Sequence, residues 1–97
     1  MQWIARYPSY VRGLGFLAAH KGNEAAAEFR KVLDHPGVVV NDPVGSLARL
    51  QLGRAYALTG DKGKAQAAYK DFLDVWKNGD REMPILRQAE DEYSRLR

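Results

Sequence analysis

Few side chains of this 97-residue chain are suited to catalysis. The histidines are His20 and His35, serine and threonine together number four, and there is no cysteine. Triad chemistry needs a nucleophile, a base and an orienting group held together, and a metal site needs several ligands at short spacing. Neither pattern surrounds the histidines, which both come at the ends of predicted helices, where the helix dipole favours a cation. The sequence therefore predicts no catalytic residues, no metal site and no cofactor, and the chain is not expected to be an enzyme.

Two glycine motifs resemble ligand-binding loops. Gly13-x-Gly15-x-x-Ala18 satisfies a loose dinucleotide fingerprint, which works only where a strand delivers the glycines to the start of a helix. Gly63-Lys64 lacks the earlier glycine and the following Ser or Thr of a phosphate loop. Because the surrounding sequence is helical, we expect Gly13 and Gly15 to allow close helix packing instead.

The charge balance is slightly basic, at +3 with a pI of about 9.3. Lysines crowd residues 62–77, but aspartates are interleaved with them, whereas a nucleic-acid surface is usually a patch of one sign. A basic helical domain associated with nucleic acid therefore stays as the less favoured alternative. No apolar run approaches the roughly 20 residues of a membrane span, and the first residues do not resemble a secretory signal. We therefore expect a cytoplasmic protein without a membrane partner.

The elements that position these residues are predicted to be helices. Alanine is abundant together with Leu, Arg, Lys and Glu, which favours helix, and the only β-favouring run is 38–40. Asn23 and Asp42 are predicted N-caps, and prolines stand at the first helical positions of three segments. The predicted fold is all-α with five helices, at about 8–19, 24–35, 43–59, 62–77 and 84–96.

An internal repeat relates the first four helices. A shift of 40 residues places the segment 13–16 on 53–56. The same shift superimposes further residues of matching character, which are Ala25 on Ala65, Phe29 on Tyr69, Val32 on Phe72 and Leu33 on Leu73. Two helix–turn–helix units with equal internal spacing are therefore expected, one following the other.

The second unit resembles the tetratricopeptide repeat, through the small residues Gly53, Ala55 and Ala65, the aromatic pair Tyr56 and Tyr69, and the turn at 60–61. In the first unit, Arg12 replaces an expected leucine and His20 replaces the turn glycine, so that Gly22 is expected to serve the turn. The resemblance implies a helical solenoid: repeat one at about 6–37, an insert at 38–42, repeat two at about 43–77 and a capping helix at about 83–96. The units also resemble the C-terminal repeat segments of bacterial eukaryotic-like serine/threonine kinases, although kinase residues are absent.

The resemblance further implies a concave groove lined by the first helix of each unit. Transferred by the repeat phase, its residues are Tyr7, Tyr10, Leu14, Leu17, Leu50, Gln51, Arg54 and Leu58. Tyr10 and Leu14 stand where some family members carry a lysine and an asparagine that clamp a peptide carboxylate, so that type of binding is not expected. An apolar partner segment could dock there, with Arg54 pairing an acidic side chain. Alternatively, the chain itself, neighbouring repeats or a second copy could fill the groove.

The number of repeats suggests association. About three units are usually needed for stability, and this chain has two and a predicted cap. Trp3, Ile4, Tyr7 and Val11 are expected to leave an apolar edge at the N-terminal side. We therefore predict a protein-interaction scaffold that forms a homodimer or belongs to a longer array.

Overall fold

The computed structural model describes residues 8–34, 43–76 and 84–96. These ranges contain no strand, and their five helices are α1 (Pro8–Ala18), α2 (Gly22–Leu33), α3 (Pro43–Thr59), α4 (Lys62–Trp76) and α5 (Pro84–Arg95). The all-α, five-helix prediction is therefore confirmed for the described part of the chain. The insert at 38–42 lies outside the described residues, as do His35, the Asp42 cap and three of the residues predicted for the N-terminal apolar edge, Trp3, Ile4 and Tyr7.

Each helix packs against the next one along the chain, and α1 also packs against α3. Buried side chains of α1, α2 and α3 form one apolar cluster around Phe29. A second cluster joins α3, α4 and α5 through five buried residues, which are Leu50, Tyr69, Phe72, Leu86 and Ala89. Because α3 contributes to both clusters, it is the central helix on which the other four are arranged.

The two helix–turn–helix units have the same turn. The backbone N–H of Lys21 donates to the Phe16 carbonyl and that of His20 to the Leu17 carbonyl. The turn between α3 and α4 repeats this pair of bonds 40 residues later, with Gly60 in the place of His20. The pattern is that of a Schellman motif, which puts one residue in the left-handed region. His20 and Gly60 are those residues, with φ of 60° and 82°.

The first turn departs from the sequence prediction. We expected Gly22 to serve the turn, but the left-handed residue is His20 itself. Gly22 is buried at the start of α2, where a Cβ would lie 2.8 Å from the Ala55 carbonyl oxygen of α3. Its small size therefore serves the packing of α2 on α3.

The start of α2 also differs from the prediction. The N-cap of α2 is Lys21, which makes no side-chain capping bond, and the predicted cap Asn23 lies inside the first turn. Asp61 occupies the equivalent position before α4, and its Oδ1 accepts a hydrogen bond of 3.1 Å from the Lys64 N–H. The side-chain cap is thus present in the second unit and missing from the first.

Close packing within each unit depends on a glycine facing an aromatic ring. A Cβ on Gly13 would lie 2.6 Å from the Phe29 ring, and one on Gly53 would lie 3.1 Å from the Tyr69 ring. The contact at Gly13 matches the expected close helix packing, and Gly53 makes the equivalent contact in the second unit. Gly15 differs from the expectation, because its Cβ would meet no atom within 4 Å.

Arg12 departs from the repeat pattern together with a second residue. Arg12 and Glu28 form an ion pair in the first unit. The equivalent positions of the second unit hold Leu52 and Ala68, which are buried apolar residues. Glu28 accepts hydrogen bonds from Arg12 Nε at 2.9 Å and from Lys31 Nζ at 2.8 Å. The hydrogen bond from Lys31, with that from Arg12, holds the pKa of Glu28 below its ordinary value although burial opposes this. The charge on Arg12 is therefore paired within its own unit.

Candidate functional site

An open groove of about 420 Å³ lies where α1, α3, α4 and α5 meet. Four apolar side chains contribute to its lining, which are Leu17, Ala57, Leu58 and Leu96. The polar part of the lining consists of His20, Arg54, Tyr69, Glu92 and Arg95. We call it the α1–α3–α5 groove, after the three helices that supply most of its lining.

Leu58 is the most exposed large apolar side chain of this groove. It is 44% exposed, and only Val11, at 48% on α1 and outside the groove, is a comparably exposed large hydrophobic residue in the described ranges. Leucine side chains gain about 1.5–3 kcal/mol on full burial, so an exposed one within a concave surface is a natural contact for a ligand. The groove therefore offers an apolar contact on α3 that the described part of the chain leaves exposed.

The polar lining is organised around Glu92 of α5. Arg54 of α3 donates to both carboxylate oxygens, from Nε to Oε1 and from Nη2 to Oε2, each at 2.9 Å. The Tyr69 hydroxyl of α4 donates to Oε1 at 2.5 Å. Bidentate pairs of this kind are among the stronger hydrogen-bonded interactions in proteins. Three helices are thus joined at one carboxylate.

The ionisation states follow from these contacts. Burial raises the pKa of Glu92, but the hydrogen bonds from Arg54 and Tyr69 outweigh it and the net pKa lies below the ordinary value. The hydrogen bond to Glu92 raises the pKa of Arg54. Burial and the hydrogen bond to the carboxylate raise the pKa of Tyr69 well above the ordinary 10.0. At neutral pH, Glu92 and Arg54 are therefore charged and Tyr69 is neutral.

The same network continues towards α1. Arg54 Nη1 donates to the Gln51 Oε1 at 3.3 Å. Gln51 also lies beside the Tyr10 hydroxyl, and hydrogen bonding between these side chains partly offsets the rise in the pKa of Tyr10 that burial causes. Side chains of α1, α3, α4 and α5 are therefore connected through polar contacts.

The residues predicted for the groove divide into three groups. Leu17, Arg54 and Leu58 line the groove. Leu14 is half-buried against the first apolar cluster, and Tyr7 lies outside the described residues. Buried below the surface are Tyr10, Leu50 and Gln51.

Helix α5 explains why Leu50 and Arg54 are not free to contact a ligand in the way that the repeat phase implies. Leu50 is fully buried in the cluster that contains Leu86 and Ala89 of α5. Arg54, which was expected to pair with an acidic residue of a partner, pairs instead with Glu92 of the same chain. The last helix thus occupies part of the surface that the repeat phase assigns to a ligand.

Glu92 is not among the residues predicted for the groove, because an acidic run such as Glu90-Asp91-Glu92 is typical of a solvated helix face. Glu92 is three residues after the buried Ala89 and four before the half-buried Leu96, which is the spacing of one helix face. That spacing was a signal for an inward-facing carboxylate. His20, Ala57, Tyr69, Arg95 and Leu96 were likewise not included in the predicted groove.

Other site types find no support within the described ranges. No group of three or more His, Cys, Asp or Glu side chains in those ranges could hold a metal ion. None of the five helices combines the length and apolar character required to cross a membrane. Comparisons with protein families, curated proteins and solved structures find no match to this chain.

Proposed function

We propose that this chain is a non-catalytic, tetratricopeptide-like interaction module that binds an apolar segment of a partner protein in the α1–α3–α5 groove. The observation that carries the proposal is the exposure of Leu58 in an open groove whose other apolar side chains include Leu17 and Leu96. Contiguous apolar surface of this kind commonly marks an interaction site. A cytoplasmic location is part of the same proposal and rests on the cysteine-free composition.

The ligand contacts differ from those implied by the repeat phase. Because Arg54 and Glu92 neutralise each other, the groove is suited to an uncharged apolar side chain more than to an acidic one at that point. Leu50 and Gln51 are buried, so substitutions there would test folding before binding. We therefore place the decisive contact at Leu58.

The experiment compares Leu58→Asp with Val11→Asp. The two wild-type side chains are almost equally exposed, but only Leu58 lines the groove, so the pair separates loss of the groove from loss of an exposed apolar residue elsewhere. Proteins captured by the wild-type chain are identified, and the affinity of one purified partner is measured for each variant. We expect Leu58→Asp to weaken it by about tenfold or more, as for a central interface residue, and Val11→Asp to leave it unchanged. Equal affinity for wild type and Leu58→Asp would refute the groove assignment.

Self-association is tested with the same two variants. Light scattering at micromolar concentration distinguishes a monomer from a dimer. A dimer dissociated by Leu58→Asp would make a second copy the ligand of the groove, whereas one dissociated by Val11→Asp would place the interface at the N-terminal edge. A wild-type chain that stays monomeric contradicts the expected homodimer and leaves a different protein as the partner.

The alternative proposal is a basic domain associated with nucleic acid. It is supported by three exposed lysines on α4, which are Lys62, Lys64 and Lys70. Asp61 weakens this support, because its carboxylate lies 3.8 Å from the Lys64 Nζ and reduces the local positive charge. Affinity that falls steeply with salt and does not depend on Leu58 would favour this alternative.

A further inference from the structure

A second groove, of about 390 Å³, lies on the other side of α3. It is bordered by α2 and α4, and α3 supplies Arg49, Leu52 and Tyr56. At 3.6 residues per turn, these three positions point away from Arg54, Ala57 and Leu58 of the first groove. We call it the α2–α4 groove, and the proposed function does not use it.

Cations predominate in the α2–α4 groove. Its charged lining consists of Arg30, Arg49 and Lys64 with a single carboxylate, Asp71. In the α1–α3–α5 groove, by contrast, Arg54 is paired in a bidentate manner with Glu92. The two faces of α3 therefore differ in charge.

The described residues compensate the three cations weakly. Among them, neither Arg30 nor Arg49 forms an ion pair, and Arg49 Nη1 donates a hydrogen bond of 3.3 Å to the Gly45 carbonyl oxygen. The Lys64 Nζ lies 3.8 Å from Asp61 and 5.6 Å from the centroid of the Tyr56 ring. Each cation consequently retains N–H donors for an acidic ligand.

The groove between these cations is apolar. Leu33 and Tyr56 are half-buried, and Leu52 is only 8% exposed. From Arg49 to Tyr56, α3 rises by about 10 Å, which is the length of two helical turns and enough for a short peptide segment. A ligand that fits both features carries carboxylates at its edges and an apolar side chain between them.

We propose that the α2–α4 groove is a second binding site, which takes an acidic peptide segment bearing an apolar side chain. Charge complementarity selects the acidic character, and the apolar lining selects a peptide over a nucleic acid. A single-stranded nucleic acid is usually held by a positive groove with exposed aromatic rings for stacking, whereas Tyr56 is half-buried under Lys64 and Asp71 would repel phosphate. The site is independent of the proposed function, because the grooves lie on opposite faces of α3.

The test begins with selection of a displayed library of random 12-residue peptides on the whole chain. We expect the enriched peptides to be acidic and to contain an aromatic or aliphatic residue. One of them, synthesised with a fluorescent label, is then titrated against wild type and the Arg30→Glu/Lys64→Glu double variant. We expect at least tenfold weaker binding by the double variant, and weaker wild-type binding as salt is raised.

The matched control is the double variant Lys62→Glu/Lys70→Glu, which makes the same change in net charge at two exposed α4 residues outside the groove lining. This variant is expected to bind the peptide within about twofold of wild type, and circular dichroism checks that all variants keep their helix content. A selection that yields no acidic peptides, or equal binding of the acidic peptide by wild type and the Arg30→Glu/Lys64→Glu variant, would overturn the proposal.

Two further outcomes identify other ligands. Loss of the acidic peptide in Leu58→Asp would place it in the α1–α3–α5 groove, which supports the proposed function and overturns this one. A labelled oligothymidylate that binds wild type but not the Arg30→Glu/Lys64→Glu variant, and that displaces the peptide, would make the site a nucleic-acid surface and equally overturn the peptide assignment.

Discussion

Removal of the Glu92 carboxylate is expected to destabilise the chain more than removal of an exposed carboxylate of the same helix, α5. The variant Glu92→Ala loses both hydrogen bonds from Arg54 and the one from Tyr69. The Arg54 and Glu92 side chains are 25% and 28% exposed, so the pair lies between the surface and the interior. Exposed pairs contribute about 0–1 kcal/mol, and removing one partner of a buried pair costs about 3–5 kcal/mol. We therefore expect a loss of about 2–3 kcal/mol in the free energy of unfolding.

The neighbouring residue provides the control. Asp91 accepts a hydrogen bond of 2.7 Å from Arg95, but their side chains are 62% and 73% exposed. Screening by water reduces such a pair, so Asp91→Ala should change the free energy of unfolding by less than about 0.5 kcal/mol. Urea unfolding followed by circular dichroism measures both variants. Similar small losses for the two would refute the reasoning that burial and bidentate geometry make the Arg54–Glu92 pair strong.

Coupling between the partners is measured by a double-mutant cycle. Because Arg54→Met and Glu92→Leu each leave a partner unpaired, the double variant should be less destabilised than the sum of the single ones.

The fall in stability at acid pH should also change when Glu92 is replaced. The folded-state pKa of Glu92 is lowered from 4.5, so its contribution is present above that value and is lost as the pH falls through the folded-state pKa. Glu92→Gln should therefore reduce this fall, and additive single losses or an unchanged fall would contradict the coupling.

Three other predictions concern the turns, the glycines and alkaline stability. Gly13→Ala should lower the free energy of unfolding by about 1–3 kcal/mol, because the new methyl group meets the Phe29 ring. Gly15→Ala should raise it by up to about 1 kcal/mol, because alanine favours helix and the new methyl group has space. Equal shifts in melting temperature for the two variants would contradict this. His20→Gly should raise it by about 0.5–1 kcal/mol by relieving the left-handed backbone, and a lower melting temperature would show that the imidazole contacts matter more. Because the pKa of Tyr69 is raised in the folded state, this group contributes stability below its ordinary pKa of 10.0, and that stability is lost as the pH rises above 10.0. Tyr69→Phe should therefore reduce the loss of stability at alkaline pH measured by urea titration. An unchanged loss would show that other groups cause it.

The helices could be predicted because their ends depend on local residue types. Pro43 and Thr59 bound α3 as expected, since proline fits the first turn and the Gly60 that follows adopts a left-handed conformation readily. The start of α2 could not be predicted in the same way. Asn23 is a good cap by type, but Lys21 is placed at the cap by the turn that His20 makes. Gly22, directly after this turn, packs closely against α3, a contact that local residue types do not indicate.

The candidate site was less predictable because it depends on how α5 packs. The repeat phase puts Leu58 and Arg54 on one helix face, but it cannot indicate which surface another helix covers. Leu50 is buried between residues of α4 and α5, and Arg54 is paired with Glu92 of α5. Such long-range contacts join residues 38 positions apart, and no local pattern encodes them.

The polar network that starts at Tyr10 has a consequence for how the chain unfolds. Repeat arrays whose helices touch only their neighbours can open from one end while the rest stays folded. Here side-chain contacts pass from Tyr10 of α1 through Gln51 and Arg54 to Glu92 of α5. Opening α5 leaves Arg54 without its carboxylate, and that loss extends through Gln51 to α1. We expect the amide hydrogens of α1 and α5 to exchange in one cooperative event, so that the five helices fold as a single unit despite their repeated pattern.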